Sequence, residues 1–309
     1  MNILLTGGAG FIGSHLVDRL SDTENDIIVL DNFSKYYSGK EDNIRGWRRK
    51  NNIKLVYGSI LDKNKLNELT ENIGIVVHLA AQPGVRYSIK HPLEVARINI
   101  NGTINVLEAC VKNDVKKFVF GSSSSVYGDV KKLPAREDYI CNPISPYGAS
   151  KLAGEKYCYY YSKIYGIKIP MLRFFTVYGP RQRPDMAINK FVDSVMKEKT
   201  TMVYGDGSQT RDFTYIDDIV DGIILAIKKN IKTDAFNLGG GNNISVNELI
   251  SLIAEYTEKK VEIRYIEKQK GDVKDTLADN TKSRKVLKWK PKTDIRCGLK
   301  KYVEWIKNR

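Results

Sequence analysis

The chain has 309 residues, enough to bury a large core in one big or two modest domains. Its residues are 42% hydrophobic and 28% charged, an ordinary globular composition, and no apolar run approaches a membrane span. The net charge of +14 comes from scattered lysines, and its longest basic run, Arg48-Arg49-Lys50, has no interleaved aromatics. That pattern argues for a solvated surface that helps attract an anionic substrate and against a nucleic-acid groove. Cys110, Cys141, Cys158 and Cys297 lack CxxC spacing and nearby histidines. They are expected to be buried thiols of a reducing compartment, with no metal ligands among them. The first residues already read as a strand, leaving no room for a signal peptide, so a cytoplasmic protein is expected.

In chain order, Asn2 to Leu5 is an apolar run that ends in Thr6-Gly7-Gly8-Ala9-Gly10-Phe11-Ile12-Gly13. Ile12, Leu16 and Leu20 then recur at helical spacing, and Asp26-Ile27-Ile28-Val29-Leu30 reads as a second strand. Asp31 closes that strand, 18 residues after Gly13. Strand, glycine turn, helix, strand and acid in this order predict a dinucleotide site. The pyrophosphate rests on the helix N-terminus, and the carboxylate meets the adenosine ribose.

Lys54 to Tyr57, Ile75 to Leu79, Lys117 to Phe120 and Ile167 to Arg173 are further predicted strands. Helical stretches run from Ile98 to Lys112 and from Tyr147 to Tyr165. Alternating βα units imply a doubly wound parallel sheet covered by helices on both faces, an α/β Rossmann architecture. We expect a cofactor domain over residues 1–172. Residues 173–309 are expected to form mainly a smaller α/β substrate domain, with some segments returning to the first.

Tyr147 and Lys151 stand four apart, hence on one helix face. A tyrosine is too weak a base at neutral pH. A nearby ammonium and the positive ring of an oxidised nicotinamide would stabilise its phenolate. Gly121 to Gly128, with Ser122, Ser123, Ser124 and Ser125 in sequence, follows a predicted strand. Its hydroxyls therefore sit at the carboxyl end of the sheet, where Ser123 can hydrogen-bond a substrate oxygen.

These features together resemble the extended short-chain dehydrogenase/reductases that act on nucleotide sugars. Further marks are His78-Leu79-Ala80-Ala81, Arg211-Asp212-Phe213, Phe236-Asn237-Leu238-Gly239 and Trp289-Lys290-Pro291. The resemblance implies Ser123, Tyr147 and Lys151 as the catalytic set and NAD as the cofactor. It implies cofactor contacts from Gly7, Gly10, Phe11, Ile12, Gly13, Asp31, Asn32, Ser59, Ile60, Leu79, Ala80, Ala81, Asn99, Ser122, Phe174 and Val177, besides Tyr147 and Lys151. Ser59 departs from the aspartate usual near the adenine. A homodimer is likewise implied.

Within such a family, elimination of water uses an Asp and Glu after the active-site hydroxyl, and decarboxylation uses a Glu before Val-Tyr-Gly. Here Ser124 and Ser125 occupy those places, so a carboxylate acid or base is missing. Reversible oxidation at C4, a 4-epimerisation, remains. Ala80 to Tyr87, Phe174 to Ala187 and Gln269 to Val273 resemble UDP-glucuronate 4-epimerases more than UDP-glucose or UDP-N-acetylglucosamine 4-epimerases, the alternative reading. The second of these motifs carries Thr176 where the UDP-glucose enzymes usually have asparagine. The expected substrate contacts are Gln82, Arg86, Ser123, Ser124, Tyr147, Thr176, Arg183, Asn189, Lys190, Tyr204, Arg211 and Asp272. Arg183 would meet the sugar carboxylate, Arg211 the diphosphate, Tyr204 the uracil and Asp272 the uridine ribose.

Overall fold

Seven parallel strands make the main sheet of the computed structural model, which describes residues 1–268 and 271–308. Gln269 and Lys270, part of one compared stretch, lie outside the described residues. In chain order the strands are β1 (Asn2–Thr6), β2 (Asp26–Asp31), β3 (Ile53–Tyr57), β4 (Ile75–His78), β5 (Lys117–Ser123) and β6 (Pro170–Phe174). After them come β7 (Thr176–Tyr178), β8 (Thr201–Tyr204), β9 (Thr210–Tyr215), β10 (Asp234–Leu238), β11 (Asn243–Ser245) and β12 (Ile263–Ile266). The sheet runs β10-β6-β5-β4-β1-β2-β3, and its order reverses between β1 and β4. Ligands bind at such a reversal, outside the carboxyl ends of the strands.

Alternation along the strands explains the double winding. Leu5, Val29, Val77 and Val119 point into one core, while Leu4, Val76, Phe118 and Phe120 point into another. Residues two apart share a face, so a strand apolar at every position must be covered on both sides. Helix α1 (Phe11–Ser21) covers the first face. On the second face, α3 (Lys63–Leu69) lies beyond the short α2 (Lys40–Asn43). Helices α4 (Val85–Lys90) and α5 (Pro92–Ala96) lead into α6 (Gly102–Lys112), which lies beside α7 (Pro146–Tyr165) on that second face.

The stretch from Ile98 to Lys112 is not one regular helix. Arg97–Asn101 forms a wider π turn before α6. The extra residue turns Asn99 toward Gln82, whose N–H it accepts at 2.7 Å and whose carbonyl it reaches at 3.1 Å. The sixth strand also starts later than the apolar run, at Pro170, with only a bridge at Lys168 before it.

Past β6 the chain weaves between layers. β7 and β9 join β11 in a three-stranded sheet, and β8 pairs with β12. Between these, α9 (Ile216–Lys228) packs on α1, and β10 adds to the main sheet beside β6. Helices α8 (Ala187–Met196), α10 (Val246–Thr257) and α11 (Ile295–Lys307) support the small sheets. Cys110 and Cys158 are buried as expected. Cys141 is only half-buried and Cys297 is exposed, because the first turn of α11 faces outward there.

Candidate active site

The turn after β1 is built so that two backbones can touch. Gly7 has φ of +74°, and a Cβ there would stand 2.6 Å from the N of Ala80. A Cβ on Gly13 would run into the carbonyl of Gly7. Gly10 caps α1 without a side-chain bond, and no acid occupies the helix's first turn. The N-terminal amides are therefore left for an anion.

These residues line a cleft of about 380 Å³ together with Asp31, Asn32, Ser59, Ile60, Leu79, Ala80, Ala81, Ser122, Lys151 and Phe174. Asp31 accepts from the N–H groups of Ala9 at 3.1 Å and Phe33 at 2.8 Å. Its other neighbour is the buried Lys40, 3.5 Å away. Lys40, Tyr36 and Tyr37 also line this cleft. Sequence reasoning missed all three, since the loop and the four-residue α2 that carry them are too short and irregular to show periodicity.

Helix α7 delivers the reactive groups. Ser145 caps it by accepting from Gly148 at 3.1 Å, Pro146 opens it, and Gly166 at φ +74° ends it. Tyr147 sits in the wall where the cofactor cleft meets a second chamber of about 800 Å³. Burial pushes its phenol above the ordinary value, while the Arg183 guanidinium and a hydrogen bond with Ser123 pull it back. Arg183 is thus a cation that acts on Tyr147 besides the one expected on α7. One turn along the helix, Lys151 donates to the Gly121 carbonyl at 2.8 Å and lies over the Phe120 ring. Burial lowers its ammonium to about 8. His78, at the end of β4, is a neutral brace: burial takes its ring to about 3, and it bonds Thr6 at 2.7 Å and Thr103 at 3.0 Å.

The second chamber is lined by Arg86, Ser123, Ser124, Thr176, Arg183, Lys190, Tyr204 and Asp272. At one end Arg86 pairs with Asp272 at 2.9 Å and stacks 4.2 Å over the Tyr204 ring. At the other, Arg183 grips Asp185 with Nε at 2.9 Å and Nη2 at 3.0 Å, and Tyr36 donates to the same carboxylate at 3.1 Å. Asp185 was not anticipated; it is two residues beyond Arg183, with only a proline between.

Several expected contacts lie elsewhere. Val177 lines the second chamber and Gln82 the first, the reverse of expectation, because β7 has already left the main sheet and Gln82 follows β4 directly. Asn99 stands behind the wall, its amide held by Gln82 and by Ser150 at 3.0 Å. Asn189 turns away to the Gln182 carbonyl at 3.1 Å and the Tyr302 hydroxyl at 2.8 Å. Arg211 lines neither chamber, since the carbonyls of Thr210, Val273 and Lys274 hold its guanidinium at 2.6 to 2.8 Å.

Comparison with known proteins agrees with this geometry. A UDP-glucuronate 4-epimerase from Thermodesulfobacterium geofontis is 39% identical over 313 residues, spanning 98% of this chain and 95% of that one. The crystal structure of a UDP-glucuronic acid 4-epimerase from Bacillus cereus, in complex with UDP-glucuronic acid and NAD, superposes with a TM-score of 0.96 at 37% identity. That likeness covers 100% of this chain and 99% of the other. A UDP-glucose 4-epimerase from Thermotoga maritima with UDP-glucose gives a TM-score of 0.94 at 38% identity, over 100% and 99% of the two chains. The model of the NAD dependent epimerase/dehydratase family matches residues 3–239, and the chain belongs to that family.

Proposed function

We propose that this enzyme interconverts the C4 epimers of a UDP-sugar, UDP-glucuronate and UDP-galacturonate, through a 4-keto sugar. One observation carries the reading: Tyr147 and Arg183 both stand where the dinucleotide cleft opens into the second chamber, which Ser123 also lines. The family is NAD dependent, and the glycine turn fits NAD, whose pyrophosphate the α1 amides would hold and whose ribose Asp31 would meet. Bound there, NAD supplies the redox chemistry at C4. Tyr147 takes the O4 proton and later returns it, Ser123 donates to the same oxygen, and Lys151, which lines the cleft, would hold the ribose. Arg183 offers a cation to the sugar carboxylate, and Arg86, Tyr204 and Asp272 gather around the uridine end. We assign the cofactor half to β1 through β6 with α9 and β10, and the sugar half to the two small sheets. Tyr157, Tyr160 and Ile164 lie exposed along one side of α7, which supports pairing of two copies through that helix.

The Asp185 carboxylate in the Arg183 fork is the observation that favours a neutral sugar, UDP-glucose, as the second reading. Purified protein assayed without added cofactor on UDP-glucuronate, UDP-glucose and UDP-N-acetylglucosamine decides between them. Turnover of the acidic sugar first is expected.

NADP should bind at least about tenfold more weakly than NAD, because a 2′-phosphate would meet the Asp31 carboxylate. Lys40 beside it offsets part of that repulsion, so discrimination stays moderate. Equal affinities in a fluorescence titration would refute the role of Asp31.

A further inference from the structure

Three successive turns of α7 are tied to three consecutive residues of β5. Tyr147 meets Ser123 in the wall of the second chamber, Lys151 donates to Gly121 at 2.8 Å, and Glu155 accepts from the Ser122 hydroxyl at 2.6 Å. The third tie continues inward. Arg173 of β6 clasps the Glu155 carboxylate with Nε at 2.9 Å and Nη2 at 2.7 Å. Its Nη1 reaches the Tyr127 hydroxyl at 2.9 Å and the Glu137 carbonyl at 3.3 Å. The Glu155 and Arg173 side chains are only 5% and 6% exposed.

A buried ion pair is a poor way to stabilise a fold. Desolvating both charges offsets most of their attraction, and apolar residues of similar volume usually do as well. This pair lies under the carboxyl ends of β5 and β6, one helical turn past Lys151, with one of its ligands next to Ser123. We infer that Glu155, clasped by Arg173, is a positioning residue for the epimerisation: it keys α7 to the end of β5 and fixes a carboxylate one helical turn from the Lys151 ammonium.

Among the groups around Lys151 the carboxylate is Glu155, with the Cys158 thiol beside it. From β4 Lys151 faces the uncharged His78, and from β5 the Phe120 ring and the Gly121 carbonyl. Along α7 its neighbours are Tyr147, Glu155 and the Cys158 thiol, with Cys110 of α6 behind Cys158. Burial opposes the ammonium, and Cys158 and Glu155 act against that opposition. Arg173 lies on the far side of Glu155, where it fixes the carboxylate in place.

The inference rests on the catalytic reading of Tyr147 and Lys151, and the test separates the two. The kcat–pH profile is measured on whichever UDP-sugar the enzyme turns over, for wild type, Glu155→Gln and Glu155→Gln/Arg173→Met. Charged Lys151 is the active form, so activity falls as pH rises through its pKa. Without Glu155 that alkaline inflection should move down by about one pH unit, with KM for the sugar within about threefold. The double variant leaves no unpaired charge and carries the test should Glu155→Gln fail to fold. A folded variant with lowered kcat and an unmoved alkaline inflection overturns the inference. Lys151→Met, run beside them, reports on the underlying reading: full turnover there refutes the role of the lysine itself. Its loss with an unmoved inflection in Glu155→Gln refutes only the present proposal.

Discussion

Tyr147→Phe should lose about 10²–10⁴-fold in kcat while binding NAD nearly as well as the wild type. The substitution removes one hydroxyl from the wall between the chambers and leaves the ring. Little else should change, because Ser123 keeps its bond to Ser125 at 3.1 Å and gains no buried orphan. The size of the loss follows from the electrostatics. A base works deprotonated, and burial alone would confine Tyr147 to alkaline pH. Arg183 and Ser123 act in the opposite sense, and the positive ring of the oxidised cofactor would add to them. Parallel measurement of turnover and of NAD affinity checks the result. A Phe variant with most of its activity would show that another group takes the proton.

Arg183→Ala should lower kcat/KM for UDP-glucuronate by about a hundredfold, equivalent to about 2.7 kcal/mol, and affect UDP-glucose far less. An enclosed carboxylate needs a cationic, hydrogen-bonding partner, and Arg183 is the guanidinium beside Tyr147. Two neighbours shape the outcome. Loss of Arg183 also removes the cation that favours the Tyr147 phenolate, a penalty both sugars share. It further strips Asp185 of its bidentate partner, leaving an anion facing the acidic sugar alone. The ratio of the two losses therefore isolates recognition of the carboxylate, and adding Asp185→Asn should recover part of the acidic-sugar loss. In the proposed reaction the keto intermediate makes this contact matter beyond binding. A carboxylate β to a ketone readily leaves as carbon dioxide, so Arg183→Ala should also release some UDP-4-keto-pentose. Efficient use of UDP-glucose, none of UDP-glucuronate and an indifferent Arg183→Ala would sink the substrate assignment.

The central strands were legible through short unbroken apolar runs, Ile75 to Val77 in β4 and Phe118 to Phe120 in β5. The glycine turn and α7 were legible through local chemistry: Gly7 and Gly13 where backbones touch, Ser145-Pro146 at one helix end and Gly166 at the other. Periodicity also placed Tyr147 and Lys151 on one face, but it could not aim their tips. The Lys151 tip donates to a carbonyl, and Arg183, from a loop, adds a cation that favours the Tyr147 phenolate. Asn189 of α8 and Arg211 of β9 were assigned by their neighbourhood in the sequence, and their side chains face other partners. One missed pair did leave a trace. Arg173 is a charge inside the apolar strand Pro170–Phe174, and such a charge requires a partner; Glu155, four residues beyond Lys151, was available.

The return of α9 and β10 to the main sheet bears on how such a protein can acquire a new substrate. Exchange of the C-terminal portion between two relatives by a single crossover near residue 175 would carry β10 along with the sugar-side loops. The hybrid's main sheet would then join β6 of one parent to β10 of the other, and α1 of one to α9 of the other. Those seams are packed cores that tolerate mismatch poorly. Inheritance of specificity in this architecture is therefore expected to proceed piecewise, by changes within the loops that carry Arg86, Arg183 and Asp272, with the woven scaffold passed on whole.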